Sequence, residues 1–155
     1  MKKLHSIPVV LMAILPAVAQ APQEVKIWKA AELQAFATKL GPQVKAGLAT
    51  ENLAVLNGRN LLVVHRQADG EAEFHEGAGD FTVVESGSGT LVVGGKVKDG
   101  KTTAPGEIRG PSIEGGKSHS VAAGDIFNIP AKTPHQVLVP KGGQITYLVL
   151  KTPGN

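Results

Sequence analysis

The spacing of apolar and polar residues changes once along the chain. In IWKAAELQAFATKLG, residues 27–41, the apolar positions Trp28, Leu33, Phe36, Ala37 and Leu40 recur at near-helical intervals, and Gly41 stands where a C-cap belongs. That spacing predicts one helix. After it the period shortens to two. LAVL and LLVVH flank Asn57-Gly58, a dipeptide that favours a two-residue hairpin turn. FTVVE, TLVVGG, SVAAGDIFNIP, HQVLVP and ITYLVLK follow as candidate strands separated by Gly, Pro or Asp. The Gly/Lys/Thr/Pro-rich stretch 94–117 lacks that alternation and reads as a long connection. One leading helix and many short strands predict an all-β sandwich or barrel.

The first nineteen residues stand apart from this pattern. Lys2-Lys3, the apolar run Ile7 to Leu15 and Ala17-Val18-Ala19 form the charged, apolar and small-residue regions of a secretory signal peptide. The apolar run is shorter than the roughly 20 residues a permanent membrane span needs. Cleavage after Ala19 is therefore expected, with a secreted or periplasmic product and no membrane attachment afterwards. Residues 20–45 then form an N-terminal helical segment, and residues 46–155 one β-barrel domain.

Loss of Lys2 and Lys3 takes the basic residues from 16 to 14 against 13 acidic ones, a net charge of about +1. So small a charge offers no case for a nucleic-acid partner. The chain contains no cysteine, so packing alone must hold the fold, and no thiol is available as ligand or nucleophile.

Two motifs carry little chemistry. GKVKDGKT, residues 95–102, matches the phosphate-cradling pattern G-x-x-x-x-G-K-[ST], which works only where a helix begins at its end. Thr103-Ala104-Pro105-Gly106 follows instead, and a polar turn with solvated lysines is expected. In Ser118-His119-Ser120, adjacent side chains on a strand point to opposite faces, so no nucleophilic pair is expected there. His65 and His119 read as ordinary core or surface histidines.

The chemistry concentrates in EAEFHEGAGDFTVVESGSG, residues 71–89, and GDIFNIPAKTPHQ, residues 124–136. Glu73 and His75 are two apart and share a strand face, and Asp80 and His135 are expected to open neighbouring strands. The pair of segments resembles the two signatures of the cupin superfamily. The first places two ligand positions one residue apart, then an acid, then a glycine seven residues beyond it, matched by Glu73, His75, Asp80 and Gly87. The second is matched by Gly124, Asp125, Pro130 and His135. Glu73 stands where the family usually has its first histidine, and Asp80 where it usually has glutamate. Gln67, Lys132 and Val139 replace an opening glycine, a turn glycine and a terminal asparagine.

The resemblance implies a double-stranded β-helix (jelly-roll) barrel with a short N-terminal helix, and a metal held by Glu73, His75, Asp80 and His135. Two imidazoles and two carboxylates without sulfur suit a divalent Mn, Fe, Zn or Ni ion. Asp80, one methylene shorter than glutamate, either ligates the metal or orients a ligand histidine from behind. Glu73 is a ligand or a proton-transfer group and the candidate catalytic residue. Val84 and Val137, on the inward parity of Asp80 and His135, are expected to line a small apolar pocket. The function expected is that of an exported metal-binding cupin, a small metalloenzyme acting on an oxygenated organic substrate by dioxygenase, lyase or isomerase chemistry. The alternative is a non-catalytic cupin that binds a metal or a small molecule. A homodimer paired at a strand edge is expected of such a barrel.

Overall fold

A computed structural model describes residues 25–154. The predicted signal peptide lies outside the described residues. Among the described residues, no helix is long and apolar enough to cross a membrane.

The predicted helix is α1, Ala30–Leu40, and it buries Phe36 and Leu40. Glu32 accepts from the backbone N–H of Lys29 at 2.7 Å, which ties the first turn. Gly41 does not adopt the left-handed conformation of a C-cap glycine. Its φ is −48°, and the chain tightens there into a 3₁₀ turn over Gly41–Gln43, with Pro42 in its first turn.

Twelve strands follow among the described residues: β1 Leu48–Leu56, β2 Arg59–Arg66, β3 Ala72–His75, β4 Ala78–Val93, β5 Lys96–Lys98, β6 Lys101–Ala104, β7 Glu107–Gly110, β8 Ser112–Glu114, β9 Lys117–Ala122, β10 Ile126–Ile129, β11 His135–Leu138 and β12 Ile145–Pro153. The Asn57-Gly58 hairpin joins β1 to β2 with both residues at positive φ, the conformation a two-residue primed turn requires.

Two antiparallel sheets share β4. The first runs β1, β2, β12, the N-terminal half of β4, β10. The second runs β9, the C-terminal half of β4, β11, β3, β7, β6. FTVVE and TLVVGG are therefore one 16-residue strand rather than two. The glycines between them mark a corner. Gly87 has φ +75°, and a Cβ there would lie 2.0 Å from the Gln144 carbonyl oxygen, so only glycine lets β12 pass this close.

Residues from both sheets make the main core, including Val64, Val84, Leu91, Val121, Val137, Ile145, Tyr147 and Val149. A second cluster lies on the opposite face of the first sheet, where α1 packs Phe36 and Leu40 onto Ala49 and Val63. Strand β2 is thus apolar on both faces, with Val64 toward the main core and Val63 under the helix. That double burial is why LLVV is an unbroken apolar run rather than an alternating one.

The stretch 94–117, read from sequence as a connection, carries β5 to β8. Its residues 101–104 are all exposed, so no apolar alternation announces the strands. Antiparallel pairing of β6 with β7 and of β5 with β8 holds them by backbone hydrogen bonds instead. GKVKDGKT spans β5, a turn at Asp99-Gly100 and the start of β6, and no helix begins at its end.

The turn between β10 and β11 carries a local strain. Lys132 sits at φ +62°, where the cupin resemblance places a glycine, and its N–H donates to the His75 carbonyl at 2.7 Å. A side chain in the left-handed region costs about 1–2 kcal/mol, and glycine returns part of that gain through unfolded-chain entropy. Lys132→Gly is therefore expected to stabilise the protein by up to about 1 kcal/mol, read as a raised urea midpoint; a lowered midpoint would show that the lysine side chain holds the turn.

Candidate metal centre

Glu73, His75, Asp80 and His135 converge at one end of the space between the sheets. Each offers one ligand atom, and the four atoms lie within 4.8 Å of one another. Strand β3 supplies Glu73 and His75 on one face, as their two-residue spacing requires. His135 opens β11 directly opposite Glu73. Asp80 comes from the other sheet, paired there with Ile129 and Lys151. Strands β4 and β11 do pair, as expected, but through the far half of β4. Asp80 therefore meets His135 across the interior and not along a shared ladder.

The separations suit a small ion. His75 Nε2 is 3.3 Å from Glu73 Oε2 and 3.7 Å from Asp80 Oδ2, and His135 Nε2 is 3.8 and 3.4 Å from the same two oxygens. Donors about 2.1 Å from a tetrahedral ion stand roughly 3.4 Å apart. Both imidazoles present Nε2 because the other nitrogen is engaged. His135 Nδ1–H donates to the Thr133 carbonyl at 3.0 Å, and His75 Nδ1–H donates to Glu107 Oε2 at 2.5 Å. A carboxylate behind a histidine is the arrangement that fixes a metal-ligand tautomer. Asp80 Oδ1 is buried and makes no well-aligned hydrogen bond, although Lys151 Nζ lies 2.6 Å away. A buried carboxylate among two histidines and a second carboxylate fits a divalent cation.

Cations surround this group. Arg109 Nη1 is 2.6 Å from Glu73 Oε2, and Arg66 Nη2 is 3.5 Å from Glu73 Oε1 while its Nε donates to the Tyr147 hydroxyl at 2.9 Å. Burial alone would push Glu73 up; the contact with His75 and the charges of Arg109, His135 and Arg66 outweigh it and hold the carboxyl at about 2. Burial likewise works against the charge on Asp80, but His135 and Lys151 keep its pKa below the ordinary value. Burial disfavours a proton on His75, whereas Glu73 and Glu107 favour it and leave its pKa raised.

The cluster opens on a cavity of about 220 Å³ whose walls include Leu62, Val64, Phe127, Val137, Tyr147 and Val149. Val137 lines it as its parity predicts. Val84 does not: it is 2% exposed and packs deeper in the main core. His65 is buried, with Nδ1 2.8 Å from the Thr146 hydroxyl and Nε2 3.2 Å from the Gln67 amide, and His119 lies exposed on β9. Neither joins the cluster.

Arg66, Glu107, Arg109 and Lys151 were not foreseen from the sequence. Lys151 continues the inward series Ile145, Tyr147, Val149 on β12, so a charge ending an apolar series was a usable signal. Glu107 and Arg109 lie in the stretch without visible strands and had none. Glu107→Ala is expected to weaken divalent-metal binding by roughly 10 to 100-fold by freeing the His75 ring. Calorimetric titration at pH 7.5 checks this, and an unchanged affinity would leave Glu107 no orienting role.

Two facing sheets that share a bent strand, with a cluster of two histidines and two carboxylates at one end, define a double-stranded β-helix with a site able to hold a metal. This is the fold of the cupin superfamily. No protein-family model matches the chain, and no curated protein matches its sequence. Among solved structures, it is similar to an uncharacterised Klebsiella pneumoniae protein with a double-stranded β-helix domain (TM-score 0.55, 16% identity, covering 85% of this chain and 93% of that one). A Rhodospirillum rubrum cupin-2 domain gives 0.51 at 17% identity, covering 68% of this chain and 60% of that one. A Thermotoga maritima protein described as a predicted oxalate decarboxylase gives 0.50 at 12%, covering 68% and 80%.

Proposed function

We propose that this chain is an exported metal-binding cupin and a small metalloenzyme acting on a small oxygenated organic substrate, with Glu73, His75, Asp80 and His135 as the ligands of a divalent Mn, Fe, Zn or Ni ion. The observation that carries the reading is the convergence of four nitrogen and oxygen donors on an apolar cavity, with both imidazole Nε2 atoms turned inward by partners on Nδ1. When bound, such an ion supplies Lewis acidity toward a substrate oxygen or supports O₂ chemistry. Thr133 and Glu107 hold the histidines in orientation. The apolar walls exclude water from a cavity below the 300–1,000 Å³ or so usual for drug-sized ligands, which favours a substrate of few heavy atoms. Glu73, whose second oxygen faces Arg66, is placed to ligate or to carry a proton at Oε1.

The test is elemental analysis of protein purified from its native compartment, followed by assays of dioxygenase, lyase and isomerase substrates with that metal restored. Glu73→Gln then separates the two roles of Glu73. Lost metal marks a ligand, and retained metal with turnover lost by about 100-fold or more marks a proton-transfer group. A second reading, a non-catalytic cupin that binds a metal or a small molecule, is favoured by the ion pairs that already engage Glu73 and Asp80. Failure of all three substrate classes with the native metal in place would support it. The same proposal includes a homodimer, for which Ile126, 63% exposed on edge strand β10, offers apolar contact. A monomer mass by light scattering at micromolar concentration would count against that.

A further inference from the structure

Lys151 touches two of the four candidate ligands. Its Nζ lies 2.9 Å from His75 Nε2 and 2.6 Å from Asp80 Oδ1. Because Glu107 accepts the Nδ1 proton of His75, Nε2 offers a single lone pair, and Lys151 donates into it. One lone pair cannot serve an ammonium and a metal ion together. Any ion bound to His75 must therefore move the Lys151 head away, and its flexible four-carbon stem leaves it within the cavity it already lines.

The charges around the site fix what the displaced ammonium needs next. Arg66, Arg109 and Lys151 face Glu73, Asp80 and Glu107, three cations against three carboxylates. A divalent ion adds two positive charges and engages Glu73 Oε2, which Arg109 uses, and His75 Nε2, which Lys151 uses. Cations stripped of partners beside a low-dielectric wall require a counter-anion.

We propose that Lys151 is an exchange residue: it competes with the metal for His75, and once displaced it binds, together with Arg109, a small organic anion with an apolar body. The ligand class is a short-chain carboxylate, its charged end toward Lys151 and Arg109 and its alkyl part against Leu62, Val64, Phe127 and Val149. This rests on the metal-centre reading above. It requires opposite effects from one substitution. Lys151→Met keeps the stem length and removes the competitor, so Mn²⁺ binding tightens by roughly 10 to 100-fold, the range set by losing one hydrogen bond that involves a charged group. The same change removes an anion partner, so carboxylate binding weakens at least about tenfold.

The experiment titrates wild type and Lys151→Met with Mn²⁺ alone at pH 7.5. It then measures methyl-proton relaxation of isobutyrate, and of its uncharged isostere isobutyramide, with Mn²⁺ bound. Tighter Mn²⁺ binding with weaker isobutyrate binding in the variant, and a wild-type preference for isobutyrate, supports the proposal. Unchanged or weaker Mn²⁺ binding in the variant overturns it while leaving the metal centre in place, as does equal binding of the acid and the amide by wild type. A wild type that binds no Mn²⁺ overturns the metal centre and this proposal with it. A measurement on wild type alone covers the case in which the variant does not fold. Acetylation of Lys151 by acetic anhydride, followed by peptide mass spectrometry, should rise several-fold on adding Mn²⁺ and fall again on adding isobutyrate. Labelling that Mn²⁺ leaves unchanged or reduces overturns the exchange.

Discussion

His75→Ala and His135→Ala should each lower divalent-metal affinity by several hundred-fold, and the double variant should retain no ion through gel filtration. Four-ligand structural zinc sites bind with about 10–16 kcal/mol, so one ligand in four is worth about 2.5–4 kcal/mol, a few hundred-fold at the middle of that range. Both side chains are nearly inaccessible, at 3% and 5% exposure, so water cannot easily take the missing ligand's place. The fold should survive, because the main core of β2, β4, β9, β11 and β12 does not include either histidine. Calorimetry for affinity and far-ultraviolet circular dichroism for the fold check the two halves separately. Undiminished affinity in a folded double variant would remove the histidines from the site. Affinity should also fall as pH drops through the histidine range, since Glu73 and Glu107 raise the proton affinity of His75 and protons compete with the metal for Nε2.

The metal-free protein should lose about 3 kcal/mol of stability to acid through Glu73 alone. The fold holds this carboxyl at about 2, against 4.5 for a glutamate in the unfolded chain. A depressed pKa contributes stability that is complete above about 4.5 and lost as pH falls through about 2, at about 1.4 kcal/mol per pH unit. Asp80, also depressed, acts in the same direction. His75 is raised, so its contribution is present below its unfolded value and lost as pH rises; it does not mask the acid transition. Urea unfolding at pH 5.5 and 2.5 reads the effect. Between these two pH values Glu73→Gln should flatten the difference by about 2.5 kcal/mol, and an equal acid loss in both proteins would show that Arg66 and Arg109 do not hold this carboxylate.

Much of the site was legible because its residues sit in two segments whose turns and parity carry information. Glu73 and His75 share a face by spacing alone, and Gly87, Gly124 and Pro130 mark bends that bring Asp80 and His135 toward them. What failed had physical causes. A glycine inside ESGSG reads as the end of a strand, yet Gly87 bends β4 without breaking it, because β12 pairs across the bend with a register shift at Thr146/Tyr147. Strands β5 to β8 are built by backbone pairing of polar residues, so periodicity could not find them, and Glu107 and Arg109 were lost with them. Parity placed Val84 toward the interior correctly. Depth along the strand, which parity does not encode, decides that it packs in the core while Thr82 and Asp80 reach the cavity.

The ion pairs also explain why a carboxylate suits position 73, where the cupin resemblance places a histidine. A histidine there would face Arg66 and Arg109 as a neutral or positive group, whereas the carboxylate forms an ion pair with each. Glu73 and the two arginines form one unit, spread over β2, β3 and β7.

The most direct measurement is anomalous diffraction from a crystal grown with Mn²⁺ at pH 7.5. One strong peak is expected, about 2.0–2.3 Å from His75 Nε2, His135 Nε2 and oxygens of Glu73 and Asp80, with the Lys151 ammonium moved off His75. A crystal with no peak among these four side chains, and Lys151 still bonded to His75, would contradict it.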